Sequence, residues 1–400
     1  MKIGILREEK IPHDKRVPLT PVQCKYLLEE YSDLQLLVQP SPYRCFSDEE
    51  YQRQGVTLRE DLSDCDLLMG VKEVPVEHLL SNKKYLFFSH TIKKQEHNRK
   101  LLKAVLDNKI ELIDYECLVD REGHRVIGFG RYAGLVGAYN GIMAYGLKYG
   151  LFELRPAHLC HDKKELYREL ETANLPNIKI VVTGGGRVAN GALELLGVMG
   201  MRKVTAFEFL NYSFREPVYV QLHSQDYYRR KDGSPFMHDD FYKHPELFEC
   251  TFSSENSFAT HCDLLVHCTY WDPKAPILFT REQMKDPRFR ISVIADVTCD
   301  INGSIPSTTR PTTIEDKFYG YNPDTGKIGQ AFAPATITVM AIDNLPCELP
   351  RDASEGFGKH LMERVMPFLI NEDEGVIERA TITRNGALTP PYAYLSDYVS

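Results

Sequence analysis

The sequence lacks several features that would assign it to common classes of protein. It has no run of the roughly 18 apolar residues that a membrane helix needs. Its first residues predict a strand rather than a targeting signal. Its ten cysteines form no CxxC pair, which favours reduced thiols and a cytoplasmic location. The net charge of −8 gives no general attraction to nucleic acid or to an anionic membrane. There is also no GxSxG elbow and no P-loop, so a hydrolase or a kinase lacks support.

What the chain does contain is typical of a globular protein with two or three domains, since it has 400 residues, 43% of them hydrophobic. Short apolar runs alternate with helical patterns, which predicts an α/β fold with mainly parallel sheets. The predicted strands are 2–6, 34–38, 66–71, 84–89, 110–115, 177–183, 204–207, 262–269 and 291–297. A predicted helix over residues 133–150 carries glycines at positions 134, 137, 141 and 146, which indicates close packing against another element or a cofactor.

A glycine-rich turn follows the predicted strand 177–183. Gly184-x-Gly186-x-x-Ala189 fits the dinucleotide fingerprint, with a strand before it and a helix after it. The pyrophosphate would bind at the helix N-terminus, where Arg187 and Val188 complete the turn. The alternative is a glycine-rich turn that binds no nucleotide.

The choice of cofactor, NAD or NADP, stays open in the sequence. Glu208 ends the predicted strand 204–207, where a carboxylate would bind the adenine ribose and disfavour a 2′-phosphate. The basic run 229–231 could bind such a phosphate, or could be a solvated loop.

Several reactive side chains follow the predicted strands of the first 135 residues. Lys72 and His90 come directly after two of them, where a lysine and a histidine could exchange protons with a substrate. Arg16 could bind a carboxylate, and Glu116 could bind an ammonium group. Arg125 is a further cation in this region. Each of these residues, taken alone, also fits an ordinary surface or core position.

The pairs His261-Cys262 and His267-Cys268 raise the question of a metal. Six residues of strand separate the two cysteines by about 20 Å, which is too far for one tetrahedral zinc. We therefore expect no metal site.

In their order along the chain, these motifs resemble a known family. Residues 15–21 (KRVPLTP), 71–75 (VKEVP) and the glycine turn are similar to the alanine dehydrogenase superfamily. Within it, the chain resembles lysine–2-oxoglutarate reductase, the lysine-forming saccharopine dehydrogenase family. The segments that carry this narrower resemblance are 87–93 (FFSHTIK), 112–116 (LIDYE), 129–134 (FGRYAG), 242–246 (YKHPE), 296–300 (DVTCD) and 342–350 (IDNLPCELP).

The resemblance implies two Rossmann-like domains with an inter-domain cleft. A discontinuous substrate domain would comprise residues 1–133 and about 334–400. An NAD(P)-binding domain would comprise about 134–333, with an insertion at about 211–260.

The resemblance also implies the roles of individual residues. Lys72 and His90 would be the catalytic acid/base pair, Arg16 would contact a substrate carboxylate, and Glu116 would lie near the amine. We expect the cations Lys93 and Arg125 to contact substrate as well. Asp296 would join Gly184, Gly186, Arg187, Val188, Ala189 and Glu208 in binding NAD or NADP.

The implied reaction joins lysine and 2-oxoglutarate into saccharopine by imine formation and hydride transfer. The alternatives are another amino-acid or opine dehydrogenase and a nucleotide-binding sensor without catalysis. The expected partners are an amino acid and a 2-oxo acid, without nucleic acid or membrane, and the sequence leaves a homo-oligomer open.

Overall fold

The computed structural model describes residues 1–254 and 256–400. The chain folds into two compact units, the first comprising Met1–Phe129 and Pro350–Ser400 and the second Gly130–Leu349. None of the helices in the described residues is both long enough and apolar enough to cross a membrane.

The strands of the described residues are, in chain order, β1 (Lys2–Ile5), β2 (Gln35–Val38), β3 (Thr57–Leu58), β4 (Leu67–Met69), β5 (Lys84–Phe87), β6 (Glu111–Asp114), β7 (Lys179–Thr183), β8 (Arg202–Lys203), β9 (Val218–Leu222), β10 (Tyr228–Arg230), β11 (Phe248–Cys250), β12 (Leu264–His267), β13 (Val293–Asp296), β14 (Tyr319–Tyr321), β15 (Ile328–Gly329), β16 (Ile337–Met340), β17 (Thr381–Arg384) and β18 (Ala387–Leu388).

The α-helices are α1 (Pro21–Glu30), α2 (Asp48–Arg53), α3 (Arg99–Asp107), α4 (Gly130–Tyr149), α5 (Lys163–Leu170), α6 (Arg187–Val198), α7 (Ala206–Asn211), α8 (Ser224–Tyr227), α9 (His238–Lys243), α10 (Pro350–Arg364), α11 (Met366–Ile370), α12 (Val376–Ala380) and α13 (Ser396–Val399).

The first unit is built on a sheet whose described strands lie in the order β18-β17-β6-β5-β4-β1-β2-β3. Strands β1 to β6 pair in parallel, and β17 returns antiparallel to β6. Apolar side chains of α3, among them Leu102 and Val105, pack with Leu68, Tyr85 and Leu112 of the sheet. Because the carboxyl ends of parallel strands meet at one edge, the residues after β1, β4, β5 and β6 lie near one another.

The second unit contains a sheet in the order β15-β14-β16-β13-β12-β7-β9-β8, parallel from β16 to β8. Its two faces are covered by separate apolar clusters, one of which includes α4 and α6. The predicted α/β class with two mainly parallel sheets is therefore confirmed.

The structure corrects the prediction for residues 204–207, which are not a strand. Thr205 instead caps α7: its hydroxyl accepts the Glu208 N–H at 3.2 Å, and the Glu208 carboxylate accepts the Thr205 N–H at 2.8 Å. This reciprocal capping box favours a helix start over an extended strand. Glu208 consequently lies in the first turn of a helix and not at a strand end.

Part of the predicted insertion at 211–260 also belongs to the main sheet. Strand β9 pairs with β7 over five residue pairs, from Lys179↔Val218 to Thr183↔Leu222. The additional structure comes after β9 and includes the antiparallel pair β10 and β11.

The chain returns to the first unit at Pro350, later than the predicted position near residue 334. The reason is that β16 lies between β13 and β14, so the segment before residue 350 still contributes a strand to the second sheet.

Helices α4 and α6 pack backbone against backbone at their glycines. A Cβ atom added at Gly134 would lie 1.7 Å from the Val188 carbonyl oxygen, and one at Gly191 would lie 1.8 Å from the Arg131 carbonyl oxygen. The close packing that the glycines of α4 predict is therefore confirmed, and it is made against α6.

Candidate active site

The first unit brings four predicted residues, Lys72, His90, Lys93 and Glu116, to the carboxyl edge of its sheet. Lys72 follows β4, His90 follows β5, and Glu116 follows β6 in the order predicted from the sequence. Lys93 ends the short 3₁₀ turn Thr91–Lys93. This edge of the first unit therefore carries the candidate acid/base groups.

Glu8, which the sequence did not single out, fixes the backbone that carries Lys72. Its buried carboxyl group accepts the Val71 N–H at 2.6 Å and the Lys72 N–H at 2.8 Å. Glu8 lies just beyond β1, so these two hydrogen bonds join the ends of neighbouring strands. The Lys72 side chain thus leaves from a backbone segment that is held in place.

We expect Glu8 to make the folded chain less stable as the pH rises from about 5 to 8. Burial and the nearby Asp14 carboxylate raise the pKa of Glu8 from an ordinary value of 4.5 to about 8. Folding therefore favours the protonated form, so this contribution is fully present below the unfolded pKa and is lost as the pH rises through the folded pKa. In Glu8→Gln, which cannot ionise, the urea midpoint should fall less than in wild type between pH 5 and 8. Parallel midpoint curves for the two proteins would be evidence against this role.

Arg16 lies in a buried ion pair with Asp14, a second residue that the sequence did not single out. Its Nε and Nη2 atoms are 2.9 Å and 2.5 Å from the two carboxylate oxygens, and its guanidinium lies 4.1 Å from the centre of the Phe129 ring. Burial alone would raise the pKa of Asp14, but the Arg16 charge outweighs it and holds this pKa below its usual range. The contact of Arg16 with a substrate carboxylate stays a prediction, and its charge is already balanced by Asp14.

Glu116 gathers three of the predicted residues around one carboxylate. Its Oε1 atom is 2.8 Å from Arg125 Nη2 and 3.2 Å from Lys93 Nζ, and its Oε2 atom is 3.5 Å from His90 Nδ1. An isolated backbone bridge between Val119 and Arg125 folds the intervening chain so that Arg125 returns to Glu116. One carboxylate thus faces two permanent cations and an imidazole.

The electrostatics of this cluster keep Glu116 ionised. Burial would raise the pKa of Glu116, but His90, Lys93 and Arg125 together lower it to about 2. With one negative charge against the two cations Lys93 and Arg125, the cluster has a net positive charge that can attract a substrate carboxylate.

The second unit contains the predicted glycine turn, in the context expected for a dinucleotide site. Gly184 follows β7 with φ of +96°, a conformation that favours glycine, and α6 begins at Arg187. A Cβ atom at Gly186 would meet nothing within 4 Å, so the turn is open at the start of a twelve-residue helix. Ala189 is fully buried. These residues fit a pyrophosphate bound to backbone N–H groups.

The ribose contact of Glu208 stays a prediction, but Glu208 does not end a strand, and the strand beside β7 is β9. His223 follows β9, and its imidazole lies so close to the turn that a Cβ atom at Gly185 would be 2.7 Å from it. Asp226 accepts the His223 N–H at 2.6 Å. His223 thus follows the strand beside β7, a position that the sequence did not reveal because the residues around it have the composition of an insertion.

Asp296 ends β13, and its carboxylate is surrounded by threonines. It accepts the Thr298 hydroxyl at 2.7 Å and the Thr308 hydroxyl at 2.6 Å, and it is 1% exposed. Its contact with a cofactor stays a prediction.

His267, another residue that was not predicted, is a buried imidazole at the end of β12. Its Nδ1 and Nε2 atoms lie 2.9 Å and 2.8 Å from the hydroxyl oxygens of Thr183 and Ser304. Burial lowers the pKa of His267, so the imidazole is held neutral between the two hydroxyl groups. Thr183 also accepts the Cys268 N–H at 3.0 Å, which ties β12 to the residue before the glycine turn.

The fold is shared with two solved structures. It resembles the solved structure of L-alanine dehydrogenase with a TM-score of 0.64 at 16% identity, covering 100% of both chains. It also resembles a transhydrogenase from Sinorhizobium meliloti with a TM-score of 0.59 at 15% identity, covering 97% of this chain and 99% of that one.

Residues 4–136 match the family model of the alanine dehydrogenase/PNT N-terminal domain, and residues 168–391 match that of the C-terminal domain. The chain belongs to the alanine dehydrogenase/PNT family, and the family resemblance seen in the motifs is confirmed.

Two relatives are similar to the chain over most of its length. It is 31% identical to "Alpha-aminoadipic semialdehyde synthase, mitochondrial" of Mus musculus over 98% of this chain and 47% of that protein. The chain thus spans about half the length of this relative. It is 27% identical to "Saccharopine dehydrogenase [NAD(+), L-lysine-forming]" of Emericella nidulans over 94% of both chains.

Proposed function

We propose that this chain is an NAD(P)-dependent oxidoreductase acting on CH–NH bonds, and that it interconverts lysine plus 2-oxoglutarate with saccharopine. The observation that carries the proposal is the cluster of His90, Lys93, Glu116 and Arg125, at the sheet edge that also carries Lys72. The name of the Emericella nidulans relative, similar over 94% of both chains, supports the choice of substrates.

The two units would have different tasks. The first unit, Met1–Phe129 with Pro350–Ser400, would be the substrate domain, because it carries the acid/base cluster. The second, Gly130–Leu349, would be the NAD(P)-binding domain, because it carries the glycine turn. The partners would then be small molecules, an amino acid and a 2-oxo acid.

The chemistry requires proton transfers at an amine and at a carbonyl oxygen. Lys72 would accept the proton that the amine loses as it attacks the ketone carbon of 2-oxoglutarate. His90 would then donate a proton to the carbinolamine oxygen, so that the carbon–oxygen bond breaks and water leaves a protonated imine. When bound, the reduced nicotinamide supplies the hydride that converts the imine into a secondary amine.

The remaining residues of the cluster would position the substrates. Lys93 and Arg125, whose side chains are 57% and 45% exposed, would attract the carboxylates of 2-oxoglutarate. Arg16 would contribute less attraction, because Asp14 balances its charge. Glu116, held ionised, would orient the substrate ammonium group.

For the cofactor, we propose that Gly184, Gly186, Arg187, Val188 and Ala189 hold the pyrophosphate of NAD or NADP at the start of α6. The ribose next to this turn would lie near His223 rather than near Glu208. An imidazole carries no negative charge to exclude a 2′-phosphate, whereas the neighbouring Asp226 favours a ribose with free hydroxyl groups. Both nucleotides therefore remain part of the proposal.

We also propose a cytoplasmic location. All ten cysteines lie in the described residues as free thiols, which is consistent with a reducing compartment.

A matrix of activity assays tests the function. Purified full-length chain is mixed with NADH or NADPH, with 2-oxoglutarate or pyruvate, and with lysine, ammonia or another amino acid. We expect nucleotide oxidation with lysine and 2-oxoglutarate, with saccharopine as the product by mass spectrometry. Turnover with ammonia and pyruvate but none with lysine would instead identify an amino-acid dehydrogenase. Nucleotide binding by calorimetry without any turnover would identify a sensor.

A further inference from the structure

A buried carboxylate connects the two loops that carry His90 and Glu116. Asp114 is the last residue of β6 and is 0% exposed. One carboxylate oxygen accepts the Ser89 N–H at 3.0 Å and also the Ser89 hydroxyl, while the other accepts the Glu116 N–H at 2.7 Å. All three partners are donors, so both oxygens of the carboxyl group serve as acceptors and together bind two loops.

The backbone of His90 needs such support. Its φ of +54° lies in the left-handed region, which is strained for a residue other than glycine and persists only where the surroundings enforce it. Ser89 precedes His90 and is held by Asp114. Thr91 follows it, and the Ser89 hydroxyl oxygen accepts the Thr91 N–H at 3.3 Å and lies 2.8 Å from the Thr91 hydroxyl. Asp114 therefore braces both neighbours of His90, one directly and one through Ser89.

The same carboxylate also sets the start of the 3₁₀ turn Tyr115–Cys117, which carries Glu116. Since His90 Nδ1 and Glu116 Oε2 are 3.5 Å apart, a shift of either loop by about 1 Å would change this pair. The titratable groups that interact electrostatically with Asp114 include Tyr115, Glu116, Cys117 and Tyr392.

We propose that Asp114 is a positioning residue, which holds His90 and Glu116 in the relative arrangement that proton transfer requires. The proposal rests on the function proposed above for its kinetic consequences, but not for its structural ones. Asp114 acts through the backbone of two loops and need not touch the substrate.

The test replaces Asp114 with Asn in the full chain. Asparagine keeps the volume but places an NH₂ group where one oxygen accepted hydrogen bonds. We expect kcat to fall by about tenfold to a hundredfold, as misplaced catalytic groups do, while KM and the dissociation constant of NAD(P)H change less than about threefold. The pH profile of kcat should also be displaced. Ser89→Ala, which removes only the hydroxyl bond, should change kcat in the same direction by a smaller factor, about threefold to fivefold.

The matched control is Asp263→Asn in the second unit. Asp263 is also a buried carboxylate that accepts a backbone N–H, that of Lys179 at 2.8 Å, and it pairs with Arg290. This variant should lose stability without a displaced pH profile. If Asp114→Asn behaves in the same way, with wild-type kcat and pH profile in its folded fraction, the positioning role is wrong. If Asp114→Asn does not fold, Ser89→Ala decides, and a wild-type kcat and pH profile there would overturn the proposal.

Failure of the proposed function can be recognised separately. Nuclear magnetic resonance of the His90 ring nitrogens and hydrogen exchange of the Ser89 and Glu116 amides need no turnover. Changed ring signals and faster exchange in Ser89→Ala would support the positioning role of Asp114 even if the wild-type protein does not use lysine. Unchanged signals and exchange would exclude this role of Asp114, whatever the substrate.

Discussion

Lys72→Met should reduce turnover of lysine and 2-oxoglutarate by about 10²- to 10⁴-fold, the range that positioned acid/base groups contribute. Methionine keeps much of the side-chain length and removes the amine. Because Glu8 bonds to the backbone of residue 72 and not to its side chain, the loop should keep its course in the variant. The candidate cofactor turn belongs to residues 184–189, so the affinity for NADH or NADPH, measured by fluorescence titration, should change less than about twofold.

The control for this substitution is Lys25→Met. Lys25 is exposed on α1, and its contact with Glu29 is long at 3.8 Å, so its loss should leave kcat and KM unchanged. If Lys72→Met retained the wild-type rate, Lys72 would have no part in proton transfer, and His90 would become the leading candidate. If cofactor affinity fell together with the rate, the loss of turnover could not be assigned to a missing proton acceptor.

The parts of the site that the sequence predicts are those carried by local pattern. Lys72 and His90 follow apolar runs that are long enough to be recognised as strands, and parallel pairing then puts their ends together. The turn from Gly184 to Ala189 is equally local, because its glycines, the strand before it and the helix after it are contiguous in the chain. Each of these features needs no knowledge of distant contacts.

The parts that the sequence does not reveal depend on pairing between distant segments. Glu8 and Asp114 are acids without a periodic signal, and only the parallel sheet shows that they bond to loops 63 and 25 residues away. The ion pair of Asp14 with Arg16 is predictable in principle, since Asp14 lies two residues before Arg16. His267 lies beside Thr183 because β7 pairs with β12, and the sequence alone does not show this pairing.

The wrong prediction of a strand at residues 204–207 has a different cause, because these residues and Glu208 carry signals for both a strand and a helix start. Residues 204–207 have the apolar character of a strand, but Thr205 and Glu208 have the spacing of a capping box. The capping box predicts a helix start at Thr205, which leaves only β8 before it and makes the next strand, β9, the neighbour of β7. That strand, β9, was hidden because its aromatic and charged surroundings suggested an insertion.

Gly134→Ala should destabilise the second unit by about 3 kcal/mol or more, since overpacking usually costs about 1–3 kcal/mol and here the obstacle is backbone. The added methyl group would lie 1.7 Å from the Val188 carbonyl oxygen, and neither helix can yield by a side-chain rotation. Urea unfolding followed by the fluorescence of Trp271, the only tryptophan of the chain, measures the loss in this unit.

Gly197→Ala supplies the matched control, because Gly197 is a helical glycine of α6 with nothing within 4 Å of an added Cβ atom. There the same change should stabilise the protein by about 0.5–1 kcal/mol, since alanine favours the helix. The opposite signs of the two stability changes separate close packing from helix propensity.

Val188 lies in the first turn of α6, so Gly134→Ala should also weaken NAD(P)H binding, which calorimetry measures, whereas Gly197→Ala should not. Equal stability of Gly134→Ala and wild type would mean that α4 and α6 lie farther apart in solution than this backbone packing allows, and that the glycines of α4 serve another purpose.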